Sequence, residues 1–198
     1  MRVRESLARF ALVSMVALAM APAAGAQTPN TKNSAPETFK ANGYVAGAAG
    51  AAASEITMQV DRYSTEADRD AVANALKHGG YPAFLTALRQ APPVGKVTVA
   101  GQTVDIRWAR EQVLTNSRSI VLITDKPVFF VGGGATNAKP RAGYEVAVME
   151  FTIDNSGLGV KGTMAAAARV KPGGATGVQI DDYGDKPIQL KGIRREIK

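Results

Sequence analysis

"VTVAGQTVDIRW", residues Val97 to Trp108, decides the class of fold. Val97 and Val99 alternate with polar neighbours, a turn falls near Gly101, and Val104, Ile106 and Trp108 resume the alternation. Period two on both sides of a glycine turn is a β-hairpin with one wet face. In this reading Trp108 joins Ile106 on the core side and Arg107 points outward.

The same rhythm extends in both directions. Upstream, Ile56, Met58 and Val60 alternate with Glu55, Thr57, Gln59 and Asp61, and Glu37 to Val45 reads as a short strand anchored by Phe39. Downstream, "RSIVLIT" (Arg118 to Thr124) is a near-continuous apolar run, so a central strand, with Val128 to Val131 expected to pair back on it. Tyr144 to Asp154 places Val146 and Val148 on one face and Met149, Phe151 and Ile153 on the other. Val160 to Val170 returns, and Val178 to Asp182 and Ile188 to Ile197 form a last pair around "YGDKP", with a phase shift at Gly192 that reads as a β-bulge. Between the early strands and the mid-chain prolines lies the helical exception. Ser64 or Thr65 caps a helix with Glu66 and Asp68 in its first turn, and Gly79-Gly80 stops it. Pro82 starts a second helix, which Pro92-Pro93 ends. The expected fold is therefore α+β: a largely antiparallel β-sandwich or partly closed barrel with an inserted helical pair.

The first 36 residues are organised differently. Arg2, Arg4 and Arg9 precede an apolar run from Phe10 to Met20, too short to span a bilayer, and Ala24-Gly25-Ala26 supplies small residues for cleavage. Residues 1–26 are expected to be a signal peptide, 27–36 a disordered leader, and 37–198 a single α+β domain. Cleavage removes Arg2, Arg4, Arg9 and Glu5 from the 24 basic and 17 acidic side chains, leaving 21 against 16. A net charge of +5 favours solubility and falls short of a nucleic-acid stripe. The expected location is the periplasm or the extracellular space. No later apolar run is long enough for a transmembrane helix.

Two stretches, "VDRYSTEADRDAVANALKHGGYPAFLTALRQAPPVGKV" and "DDYGDKPIQLKGIRREI", resemble a group of exported bacterial proteins of about this size. The resemblance implies export and a single domain. That group has no assigned activity, so no catalytic residue carries over.

Candidate chemistry is thin. With no cysteine and one histidine, a structural zinc site and a cysteine nucleophile are excluded. His78 precedes two glycines, where an imidazole serves the last carbonyls of a helix. Ser54, Ser64 and Ser119 are the hydroxyls a base could activate, and none stands in a nucleophile-elbow pattern. Asp181, Asp182 and Asp185 in "DDYGDKP" suit a hairpin turn better than a calcium loop. Gly132 to Gly143 is a long loop without the helix and Lys-Ser/Thr pair of a phosphate cradle. Lys186, Lys191, Arg194, Arg195 and Lys198 read as a charged edge strand. No residue is nominated as catalytic or as a metal ligand, and no cofactor is expected.

The leading expectation is an exported, soluble, non-catalytic domain that binds a small ligand or an envelope protein. One alternative is an extracytoplasmic hydrolase in which some of Asp61, Asp105, Glu111, Glu150, Asp154 and Asp181 converge. Another is a carrier of apolar molecules in a barrel cavity lined by Met149, Phe151 and Met164.

Overall fold

The computed structural model describes residues 34–45, 53–130, 141–174 and 176–196. The expected signal peptide, residues 46–52 of the alanine run and 131–140 of the glycine loop lie outside the described residues. Nine strands and one helix follow in order: β1 (Glu37–Val45), β2 (Ser54–Val60), α1 (Glu66–Gln90), β3 (Gly95–Val99), β4 (Gln102–Val113), β5 (Ser117–Thr124), β6 (Val146–Asp154), β7 (Gly159–Pro172), β8 (Val178–Asp182) and β9 (Ile188–Glu196).

The quoted hairpin is β3 and β4. Val99 pairs with Gln102 across Ala100 and Gly101, both at positive φ (49° and 79°). Two left-handed residues match the right-handed twist of the flanking strands.

Sequential antiparallel pairing runs from β1 to β7, and β9 pairs with both β7 and β1. Eight strands thus close into a barrel, which corrects the expectation of a sandwich. Closure rests on β9 returning to β1 through seven pairs, Thr38↔Glu196 to Val45↔Ile188. β9 is therefore an interior strand, and the charged-edge reading of its basic residues is corrected too. β8 pairs with the far end of β7 (Val170↔Ile180), so β8 and β9 are not the expected hairpin.

Inward side chains fill the barrel. Phe39, Ile56, Met58, Ile106, Ile120, Leu122, Met149 and Met164 belong to one buried cluster. Packing is tight enough that a Cβ on Gly43 would lie 2.9 Å from Ile56 and 3.2 Å from Phe130. Val128 and Phe130 are not the expected strand paired to β5, because β4 and β6 already occupy both edges of β5. The Val128 N–H instead donates to the Ala166 carbonyl of β7 (2.8 Å), and both side chains join the barrel core.

A second cluster lies outside the barrel under α1. Val72, Leu76, Phe84 and Leu88 of the helix meet Trp108, Ile123, Val146, Val148, Ala165 and Ala168. Thr65 caps the helix through a reciprocal box with Asp68. The expected helical pair is one element, kinked at Gly80 (φ 68°). Gly80 turns the axis without a stop, and Pro82 falls in the first turn after the kink, where its missing N–H costs least. Among the described residues no helix is long and apolar enough to cross a membrane.

Candidate functional site

Cross-strand register sorts the outer face of the barrel into rows. Trp108, Ile123, Val148 and Ala165 stand opposite one another on β4 to β7, an apolar row that α1 covers. The next row reads Arg110, Val121, Glu150, Thr163 and Gln189, and the one after it Gln112, Ser119, Thr152 and Lys161. Alternation places these side chains outward, since Met149, Phe151 and Ile153 face the barrel core. Here the strands carry a groove of about 600 Å³, lined by Gln112, Leu114, Ser119, Glu150, Phe151, Thr152, Lys161, Gly162, Thr163 and Gln189.

Glu150 is the unusual member. Half-buried between Val121 and Thr163 in register, its carboxylate has no hydrogen bond or ion pair among the described residues. Burial raises its pKa. Lys161, exposed at the other side of the groove, also has no ion pair among them. Among the described residues Ser119 has no hydrogen-bonded base, so they form no nucleophile–base contact in the groove.

The charge on Glu150 has a signed consequence. Below its ordinary value of 4.5 the carboxyl is protonated folded or unfolded. As pH rises, the unfolded chain releases the proton first, so stability falls until the folded carboxyl has ionised as well. Arg110 on β4 and Lys161 on β7 are the charged side chains nearest in register. Glu150→Gln is expected to match the native chain near pH 4 and to exceed it by about 0.5–1 kcal/mol at neutral pH. Urea melts across that range check it; a variant less stable at neutral pH would show that the carboxylate holds the fold.

A second polar cluster lies inside one end of the barrel. Arg118 donates to both carboxylate oxygens of Glu37 (3.0 and 2.9 Å) and to Glu111 (2.5 Å). Tyr63 donates to Glu37 at 2.6 Å, and Ser34 reaches Glu111 through its N–H (3.2 Å) and hydroxyl (2.8 Å). Burial opposes the charge on Arg118, but its hydrogen bonds to the two glutamates outweigh it and raise the pKa. Burial first, and then Glu37, push the Tyr63 phenol far up. With its lone pairs already engaged, this set closes the barrel end and offers no working acid or base.

The six carboxylates proposed as a hydrolytic set stand apart. Asp61 accepts from Gln59 (2.6 Å) beside a hollow of about 70 Å³, and Asp105 pairs with Arg107 (3.2 Å). Glu111 is inside the barrel and Glu150 in the outer groove. Asp154 holds its own turn through Ser156 and Leu158, and Asp181 pairs with Arg169 (2.9 Å) and Lys171 (3.1 Å). Asp182 accepts from Tyr144 (2.6 Å), and among the described residues no three acids or histidines could hold a metal ion. His78 is exposed before the kink in α1, and its imidazole makes no hydrogen bond among the described residues. Ser64 is buried and accepts from the Ala109 N–H (3.0 Å). Met149, Phe151 and Met164 are buried against other side chains, in the place a carried apolar molecule would need. Sequence reasoning named Ser119 and Glu150 separately; their shared face was readable only from the pairing of β5 with β6. Comparison with known proteins brings no match to a family model, a curated protein or a solved structure.

Proposed function

We propose that this chain is an exported, non-catalytic binding domain that takes a small polar ligand in the outer groove of β4, β5, β6, β7 and β9. The observation that carries this reading is Glu150: a half-buried carboxylate without a partner among the described residues, in a recess lined by two amides, three hydroxyls and a lysine. Keeping an incompletely hydrated charge costs stability, and a ligand that supplies the missing hydrogen bonds offsets the cost. A packed barrel gives the groove a rigid floor. The unactivated Ser119 and the dispersed acids support binding over hydrolysis.

Amide-resolved NMR with a library of small polar molecules tests the site. Shifts are expected on Ser119, Glu150, Thr152, Lys161 and Thr163. Ligands that instead perturb only Tyr144 and its neighbours, or His78, would move the site elsewhere. Export is tested separately: the N-terminus of the secreted chain is expected to be Gln27.

A further inference from the structure

The groove holds one negative and one positive side chain that do not meet. Glu150 stands opposite Thr163, and Thr152 opposite Lys161, so Glu150 and Lys161 are diagonal neighbours on adjacent strands. Diagonal positions are about 7–8 Å apart, somewhat less between Cβ atoms, within reach of long side chains. No ion pair closes between them among the described residues, although both chains are long enough to approach. The Ser119, Thr152 and Thr163 hydroxyls line the space between and beside them.

We propose that the ligand of this groove is a free α-amino acid or a closely similar zwitterion, its ammonium group on Glu150 and its carboxylate on Lys161. This rests on the reading of the groove as a ligand site. An α-amino acid carries its ammonium and carboxylate on one tetrahedral carbon, so two charge-assisted contacts of about 2.8 Å bridge two charged heads that do not themselves meet. A simple acid would leave Glu150 desolvated and unpaired, and a simple amine would forgo the second charge-assisted contact that Lys161 offers. The hydroxyls supply donors and acceptors for the remaining oxygen and N–H positions. Leu114, exposed at the rim, and Gln112 lie where the ligand side chain would emerge.

The test titrates the isotope-labelled chain with each of the twenty amino acids and with glucose, maltose and cellobiose. At least one amino acid is expected to shift the Ser119, Glu150, Thr152 and Lys161 amides. Its analogues lacking the ammonium or the carboxylate should bind at least tenfold more weakly. Glu150→Gln and Lys161→Met should each lower the affinity about ten- to a hundredfold while their spectra stay dispersed. The exchanged pair Glu150→Lys with Lys161→Glu should recover part of the loss. If the sugars move these amides and no amino acid does, the zwitterion proposal fails and the groove remains a ligand site. If neither class moves them, both readings fall.

Discussion

Arg118→Met is expected to destabilise the chain by about 3–5 kcal/mol, lowering Tm by roughly 6–20 °C. The side chains of Glu37 and Glu111 are each 3% exposed, and Arg118 is the cation that joins them. Removing it leaves two carboxylates in a barrel end that Arg195, 3.9 Å from Glu37, cannot neutralise alone. Methionine keeps the length of the stem, so the loss measures the charge and its hydrogen bonds more than the packing. Much of this cost is the penalty of stranding the carboxylates, not the net worth of the ion pairs. The same substitution in a Glu37→Gln, Glu111→Gln background should therefore cost far less. Equal costs in both backgrounds, measured by urea unfolding, would show that Arg118 acts through its aliphatic stem.

How much of this fold was legible beforehand depends on whether the deciding contact is local. The β3–β4 turn was readable because Val97, Val99 and Val104 alternate around Gly101. The bulge at Gly192 was readable because Ile188 and Leu190 fall out of phase with Ile193, and all three are buried. Trp108 was misplaced. A register shift between Ile106 and Trp108 sends Ile106 into the barrel and Trp108 under the helix. Both are apolar and buried, so hydropathy could not see the switch. Barrel closure was hidden for a related reason. Whether β9 pairs with β8 or with β1 is a choice between a near partner and one about 150 residues away, and alternation is the same in either case. The groove shares that limit. Gln112, Ser119, Thr152 and Lys161 look like ordinary wet-face residues until register puts them in one row.

Trp108→Ala should cost about 3–5 kcal/mol, and the loss should not be spread evenly over the molecule. The indole is fully buried at the centre of the contact between α1 and the barrel wall. The barrel interior is a separate cluster that Trp108 does not enter. Truncation should therefore loosen the helix before the barrel opens, so amides from Val72 to Leu88 should exchange sooner than those of β2 and β5. Trp108→Phe separates two contributions. It retains most of the ring while deleting an indole N–H that is buried without a hydrogen-bond partner among the described residues, and it should cost much less than alanine. If phenylalanine costs as much, the N–H has a partner after all and matters more than the ring. The boundary between covered and bare sheet passes between Val148, under α1, and Glu150, in the groove, two residues further along β6. Freeing the helix moves that boundary and hydrates the carboxylate. Trp108→Ala should thus weaken any ligand that pairs with Glu150, even though the indole lies outside the groove lining.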